Sequence, residues 1–333
     1  MVDIVTQGIA GAACAQALAP SRHSRLAALI GLGAGLLPDA DTLIQRASDP
    51  LLQLEFHRHF SHALVFIPVG AALSALLLWP FLYRLLSFKQ IYRYALCGYA
   101  SGGLLDACTS YGTHLLWPFS SEPVAWSLIA IVDPVFTLGL AVPLAVGLYQ
   151  RQAARLGLLL AVSYLLFGLV QQQRAEVAAL ELAHQRGHQP RHLLVKPTVG
   201  NLVLWRALYA ADDSLWVDAV RVGDEVQVYP GEHQSLFVPS RDWPWAGADS
   251  RAGRDAQRFI DLAKGLAVLY PDDNRRLGDG RYALLPTAIA PLWGLEFDPE
   301  RPQAPPRWIE TRSLSPAMRR QFFVLLLGGD GAR

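Results

Sequence analysis

Long apolar runs fill the first half of the chain, whereas short runs that alternate apolar and polar residues fill the second half. Crossing the hydrocarbon core of a bilayer takes about 20 apolar residues in an α-helix. The run 62–83 meets this length, and the runs 91–111 and 126–149 meet it with one aspartate each. The run 156–170 reaches it only with its flanking glutamines. The pattern predicts three or four membrane-spanning helices.

Two shorter apolar runs, 8–20 and 26–37, precede the long ones. Because both are shorter than a membrane span, we predict a tight helical pair that need not cross the bilayer completely. Together with the longer runs, the pair gives the predicted fold of the first half. This is an α-helical integral membrane domain of about four to six membrane helices over residues 1–173.

The second half is predicted to contain a linker at 174–190 and a soluble α+β accessory domain at 191–333 that restricts or recruits substrate. Apolar residues at helical spacing predict an amphipathic helix at 254–270. Short alternating runs bounded by turn residues such as Asp212-Asp213 predict strands. The candidate strands are 201–209, 214–222, 225–229, 280–285, 291–297, 307–312 and a buried strand at 322–327.

The charged residues support this division and exclude some partners. Residues 1–170 hold only 9 of the 29 Lys and Arg residues and 8 of the 28 Asp and Glu residues. A net charge of +1 without a clustered basic face gives no footprint for nucleic acid. Cys14, Cys97 and Cys108 lack CxxC spacing, so they indicate neither a disulfide framework nor a cysteine zinc site.

Lys and Arg in the short loops predict the orientation, because such residues mark the cytoplasmic side of a membrane protein. The connections 20–25, 84–93 and 149–155 each contain them, whereas 38–61 is poor in them and 109–125 has none. We therefore expect a multi-pass protein of the bacterial cytoplasmic (inner) membrane. Its 38–61 loop and its C-terminal domain would lie on the outer, periplasmic side.

Potential metal ligands are concentrated in the segment 39–62. It contains Asp39, Asp41, His57 and His62, and the predicted topology brings Asp106 to the same face, with Asp133. Carboxylates beside apolar runs are costly unless a cation or a partner holds them. Carboxylate oxygen with imidazole nitrogen suits zinc, with manganese or iron as alternatives, better than calcium. We predict a divalent transition metal held by Asp39, Asp41, His57, His62 and Asp106.

The histidine motif also allows a local geometric prediction. His59 and His62 are three residues apart and would share one face of a continuous helix. Ser61 is the expected N-cap of a helix that starts at His62. In that arrangement His57 lies in the preceding loop and is free to turn toward His62.

Each of these residues also has a purely structural interpretation. Asp39 and Asp41 are also compatible with a helix terminus, and the histidines and Arg58 with interfacial anchors in the lipid headgroups. Asp133 precedes a proline and is compatible with a turn initiator. Asp106, in an apolar helix, favours function because an intramembrane carboxylate needs a partner. The alternative to an enzyme is a membrane protein with a structural cluster and a partner-binding soluble domain.

An ordered series of motifs resembles the YdjM-like family of membrane-bound metal-dependent hydrolases. The motifs are Asp3-Ile4-Val5-Thr6-Gln7-Gly8, Leu37-Pro38-Asp39-Ala40-Asp41, His57-Arg58-His59-Phe60-Ser61-His62, Leu105-Asp106-Ala107-Cys108-Thr109-Ser110-Tyr111-Gly112-Thr113, Leu116-Trp117-Pro118-Phe119-Ser120 and Asp133-Pro134-Val135-Phe136-Thr137. They span the membrane half of the chain, and their order is more specific than any one motif. The tail resembles the soluble extension of longer members.

The resemblance implies hydrolysis at a metal centre. The family is similar in motif order to zinc-dependent phospholipase C enzymes, which implies that water activated by a metal cleaves a phosphoester or a lipid-linked substrate. Asp41, His57 and Arg58 are the expected catalytic residues, and the Arg58 guanidinium suits a phosphoryl oxygen. One position departs from the family pattern, since Gln7 stands where members usually have histidine. Glutamine binds a transition metal poorly, so this departure predicts fewer bound ions.

Overall fold

The computed structural model describes residues 3–311 and 313–329, which form two compact units. The first unit comprises Met1–Ile44, Phe56–Val170 and Val199–Asn201. The second comprises Gln45–Glu55, Gln171–Thr198 and Leu202–Arg333. The second unit therefore includes a short segment, 45–55, that comes from within the predicted membrane half.

The first unit is helical, as the apolar runs predict. Its helices are α1 (Ile4–Leu18), α2 (Ser24–Leu36), α4 (Ile67–Leu82), α5 (Phe88–Ala107), α6 (Pro134–Gly147) and the first part of α7 (Arg151–Gln185). The short helix α3 (Leu52–Phe56) belongs, except for Phe56, to the second unit. The predicted helical pair is confirmed by α1 and α2, which approach closely through glycine. A Cβ placed on Gly11 would lie only 2.4 Å from the carbonyl oxygen of Gly31, the small-residue packing that membrane helices use.

Three helical segments within the described residues are long and apolar enough to cross a membrane, namely Ser21–Leu43, Leu64–Leu82 and Gln152–Gln185. The first contains the 26–37 run and has a 3₁₀ helix at each end. With 23 residues it is long enough to cross a membrane, whereas we expected an incomplete crossing. The second matches the predicted run 62–83.

The other predicted spans differ from the structure. From the run 126–149 only the shorter helix α6 forms. The run 91–111 becomes α5, which is not among the helices of membrane length and apolarity and buries about half of its residues.

The second unit contains two antiparallel four-stranded sheets, with strand orders β1-β2-β3-β4 and β5-β6-β7-β8. The strands are β1 (Arg191–Pro197), β2 (Leu204–Ala211), β3 (Ser214–Val222), β4 (Val226–Ser235), β5 (Ala267–Tyr270), β6 (Asp273–Asp279), β7 (Trp293–Glu296) and β8 (Arg307–Glu310). Helices α8 (Pro239–Asp242), α9 (Arg251–Leu262) and α10 (Pro316–Leu327) complete it. The predicted turn is confirmed, since Asp212 and Asp213 both have positive φ, 48° and 57°, and join β2 to β3.

Several boundaries in this unit differ from the prediction. The helix predicted at 254–270 ends at Leu262, and the last four residues of the predicted range form β5. The strand predicted at 280–285 is a turn after β6, and the buried strand predicted at 322–327 belongs to α10, where only Leu325 is buried. Much of the predicted linker is helical, because α7 continues to Gln185. The strand predicted at 307–312 forms β8, while Arg312 lies outside the described residues.

Candidate metal centre

Three separate parts of the first unit supply the potential ligands. Helix α2 continues into the 3₁₀ helix Leu37–Leu43, which has Pro38 in its first turn and in which Asp39 and Asp41 are both buried. His62 ends the 3₁₀ helix Phe60–His62. Asp106 lies in the last turn of α5 and is fully buried.

Asp39, His62 and Asp106 form one group that could hold a metal ion. The Nε2 atom of His62 lies 3.3 Å from Asp39 Oδ1 and 3.2 Å from Asp106 Oδ2. One ligand atom from each residue lies within 4.8 Å of the others. A second group with the same spacing joins Asp39 to Asp41 and His57. The structure therefore brings all five predicted metal ligands together, in two groups that share Asp39.

Asp41 contacts both imidazole rings through the same type of nitrogen. Its Oδ1 lies 2.8 Å from His57 Nδ1, and its Oδ2 lies 3.2 Å from His62 Nδ1. A carboxylate that accepts from Nδ1 fixes the tautomer in which Nε2 is the basic nitrogen. In His62 that nitrogen faces Asp39 and Asp106. Asp41 is thus placed to orient the two histidines as well as to contribute an oxygen.

The two aspartates of the Asp-x-Asp motif differ sharply in their hydrogen bonds. Asp41 Oδ2 accepts from the Ser61 hydroxyl at 2.7 Å and from the Arg58 backbone N–H at 2.9 Å. Apart from its ion pair with His62, neither carboxylate oxygen of Asp39 accepts a hydrogen bond from the described residues, although both oxygens are buried. Burying a carboxylate in this way is costly. A bound cation would remove that cost, so the donor set fits a metal ion.

The charge balance points the same way. Three buried carboxylates, those of Asp39, Asp41 and Asp106, face one buried guanidinium, that of Arg58. With neutral imidazoles, these four side chains carry three negative charges and one positive charge. Burial alone would lower the pKa of His62, but the adjacent carboxylates of Asp106, Asp39 and Asp41 raise it to about 10. The carboxylates therefore attract positive charge, which a proton on His62 or a bound divalent cation would supply.

Arg58 is held inside the cluster and does not face solvent. Its side chain is fully buried, its φ is 60°, and its Nη2 lies 2.8 Å from Asp106 Oδ1. Nη1 donates to the Thr109 hydroxyl at 2.9 Å, and the guanidinium carbon lies 5.2 Å from the ring centre of Tyr111. Asp106 therefore contacts Arg58 with one oxygen and His62 with the other.

Two residues that the sequence singles out lie outside both groups. Asp133 accepts hydrogen bonds from the backbone of Val135 and Phe136, and so has the structural role of capping α6, where we had considered a turn initiator. The ring of His59 lies 4.6 Å from that of His114, so His59 does not point with His62. Continuous helix geometry does not apply there, because His59 precedes a 3₁₀ turn.

The prediction that Ser61 is a helix N-cap is wrong. Helix α4 starts only at Ile67, and the Ser61 hydroxyl donates to Asp41 instead. Sequence reasoning also missed Thr109 and Tyr99, whose hydroxyls contact Arg58 and the Ser61 carbonyl. Thr109 lies within one of the quoted motifs and Tyr99 lies outside them, but neither was assigned a role, since a hydroxyl has no diagnostic spacing.

Gln7 is fully buried, and neither atom of its amide has a hydrogen-bond partner among the described residues. A Cβ placed on Gly102 would lie 3.1 Å from Gln7 Nε2 and 3.4 Å from Pro38 Cγ. Gly102 is one helical turn before Asp106, and Pro38 directly precedes Asp39. The amide therefore lies against the two backbone segments that carry these aspartates.

The comparisons with known proteins bear on the same part of the chain. The model of a family described as YdjM inner membrane protein matches residues 1–175. This range contains every residue of both groups. No curated protein matches the chain, and no solved structure matches it.

Proposed function

Because the chain belongs to the YdjM inner membrane protein family, we propose that it is a metal-dependent hydrolase acting at the membrane on a phosphoester or lipid-linked substrate. The observation that carries the proposal is the buried cluster itself. Asp39, Asp41, His57, His62 and Asp106 meet from three separate parts of the chain, and three of these side chains are buried carboxylates.

Asp39, His62 and Asp106 are the residues proposed to hold the ion, with Asp41 and His57 as the neighbouring group that shares Asp39. Carboxylate oxygen and imidazole nitrogen favour zinc, with manganese or iron as alternatives. When bound, such an ion supplies Lewis acidity that activates water and polarises a phosphoryl group.

The remaining chemistry is assigned to Asp41, His57 and Arg58. With its Nδ1 donating to Asp41, His57 presents Nε2 as a base, and its side chain is 10% exposed, so a proton can reach it. Arg58 is positioned by Asp106 and Thr109. Its guanidinium would stabilise the negative charge that develops on a phosphoryl oxygen.

The neighbouring span supports an amphipathic substrate. His62 lies two residues before the candidate span Leu64–Leu82, whose side chains Leu64, Val65 and Val69 are exposed and apolar. In a bilayer such a surface faces lipid. We therefore propose a site near headgroup depth, with the lipid bilayer as the partner, in a multi-pass protein whose C-terminal domain is periplasmic.

One observation favours the alternative, a non-enzymatic protein with a structural cluster. Arg58 already neutralises one oxygen of Asp106, and Asp41 is saturated by hydrogen bonds. A cluster of this kind can hold three segments of a fold together without catalysis.

The experiment is elemental analysis of the detergent-purified protein beside Asp39→Ala and His62→Ala, with His59→Ala as the matched control from the same motif. Wild type and His59→Ala are expected to hold stoichiometric metal and to hydrolyse phosphodiester substrates in lipid vesicles, whereas the other two variants lose both. Equal metal content in all four proteins excludes the metal centre. Metal without hydrolysis selects the structural alternative.

A further inference from the structure

We propose that the C-terminal unit positions the candidate site through the segment 45–55, and that Arg258 is the positioning residue that holds this segment. The inference rests on the proposed function, because the property it controls is metal binding. Segment 45–55 lies in the chain between Asp41 and His57, and it belongs to the second compact unit. Gln45 follows Asp41 by four residues, and Glu55 precedes His57 by two.

An apolar side chain anchors the segment. Leu51 is fully buried in a core cluster that includes Phe237, Trp243 and Phe259. Leu54 packs against the same cluster. Leu51 and Leu54 therefore tie the segment to a hydrophobic core of the C-terminal unit, whereas residues 45–48 and 53 are exposed.

Arg258, on α9, supplies the polar anchor. Its Nη1 and Nη2 donate to the two carboxylate oxygens of Asp49, each at 3.2 Å, and its Nε donates to Glu55 Oε1 at 2.9 Å. Asp255 on the same helix accepts from Nη1 at 2.9 Å. One planar guanidinium thus holds both a middle residue and the last residue of the segment, which a lysine could not do with the same geometry.

Holding the segment at its middle and at its last residue has a consequence for the site. Asp41 and His57 must come within 2.8 Å of each other, although 15 residues separate them in the chain. Closing a loop costs conformational entropy, and a loop that is ordered elsewhere has already lost that entropy. Arg258 lies outside residues 1–175, the range that matches the family. In this chain the added domain therefore contributes to the order of the loop.

The test compares Arg258→Gln with Arg254→Gln. Arg254 lies on the same helix, and its guanidinium donates to the backbone carbonyl of Asp249. Metal affinity is measured with zinc by competition against a chelator, using the full-length protein in detergent. Arg258→Gln is expected to weaken zinc binding about tenfold, because binding must then order the loop itself, and Arg254→Gln to leave it unchanged. Arg258→Lys should recover part of the loss.

Two further measurements distinguish positioning by Arg258 from a purely structural role of this residue. One combines the substitutions, and the other varies the salt concentration. Asp49→Asn with Glu55→Gln should reproduce the effect of Arg258→Gln, and adding Arg258→Gln to them should cause no further loss. Arg258 is about one third exposed, so added salt should weaken zinc binding in the wild type but not in Arg258→Gln. Additive losses, or equal affinities of Arg258→Gln and wild type, overturn the inference and leave the proposed function standing.

Hydrogen exchange tests the positioning even if the wild type binds no zinc, a result that would end the proposed function. In Arg258→Gln the amides of 45–62 should exchange faster than in Arg254→Gln, and those of α1 should be unchanged. Equal protection of 45–62 in the two variants overturns the inference independently of metal.

Discussion

At the scale of single residues, Asp39 and Asp41 have different roles in the cluster because they differ in their hydrogen bonds. Asp41 uses its oxygens to bind His57, Ser61 and the Arg58 backbone. Asp39 keeps almost its full acceptor capacity. The two aspartates are two residues apart in one motif, so their different surroundings, and not their chemistry, assign them different roles.

Asp39→Asn and Asp41→Asn should therefore differ. An amide keeps the shape of the carboxylate but removes its charge, so Asp39→Asn is expected to abolish stoichiometric metal. Asp41→Asn should weaken metal affinity only about 10- to 100-fold, as the loss of an orienting carboxylate does, and should reduce hydrolysis further because His57 loses its orienting partner. Chelator competition and single-turnover kinetics measure the two effects. Identical losses in both variants would remove the division of roles.

Gln7 makes a second prediction at this scale. Its buried amide lies against the segments that carry Asp39 and Asp106, so Gln7→His would add an imidazole there. Metal content should rise together with hydrolysis, and by a large factor, since a catalytic ion contributes several kcal/mol and about 1.4 kcal/mol is tenfold in rate. Gln7→Met, which fills similar volume without a good zinc ligand, is the control. If neither metal content nor hydrolysis rises in Gln7→His, Gln7 has only a packing role.

At the scale of elements, glycine contacts bring the ligand-bearing segments together. A Cβ on Gly98 of α5 would lie 2.3 Å from the Gly31 carbonyl oxygen of α2. A Cβ on Gly31 would lie 2.3 Å from the Gly11 carbonyl oxygen of α1. Helix α2 leads to Asp39 and Asp41, and α5 ends beside Asp106. The approach of these helices therefore sets the distance between the two halves of the cluster.

Gly31→Ala should push these helices apart. Overpacking against backbone costs about 1–3 kcal/mol, so the melting temperature in detergent and the metal content should both fall. Gly33 lies on the same helix, and a Cβ placed on it would meet no atom of the described residues within 4 Å. Gly33→Ala should be neutral, or stabilise by up to about 1 kcal/mol through helix propensity. Equal melting temperatures for the two variants would contradict this role of the contact.

Local sequence signals account for the elements that the sequence predicts correctly. The α1–α2 pair and the β2–β3 hairpin depend on apolar runs joined by short turns, which a single sequence displays. The strand prediction for 322–327 is wrong because a short apolar run has no period that distinguishes strand from helix. Ser315 as N-cap and Gly328 as C-cap bound α10, and these are the signals that the prediction missed. The 3₁₀ helices around the site depend on tertiary contacts, which no local pattern encodes.

At the scale of the whole molecule, the segment between the two metal motifs shows why the site could be predicted only in part. The residue types in 39–62 identify candidate ligands, and the predicted topology adds Asp106. The placement of 45–55 in the second unit depends on Leu51 and Arg258. Arg258 and Glu55 are 203 residues apart in the chain. A contact between residues so far apart cannot be predicted from a local sequence pattern.

Orientation is the remaining prediction at this scale, and it determines which compartment supplies the substrate. Lys and Arg in 20–25, 84–93 and 149–155 predict, by the positive-inside rule, that those loops are cytoplasmic. Alkaline phosphatase fused after residue 333 should then be active, because that enzyme needs the periplasm, and a fluorescent reporter that matures only in the cytoplasm should be dark there. Fusions within 84–93 are the matched control and should give the opposite pair of signals. Since the 38–61 loop and the C-terminal domain are predicted on the same side, a dark phosphatase at residue 333 would move the proposed active site to the cytoplasmic face as well.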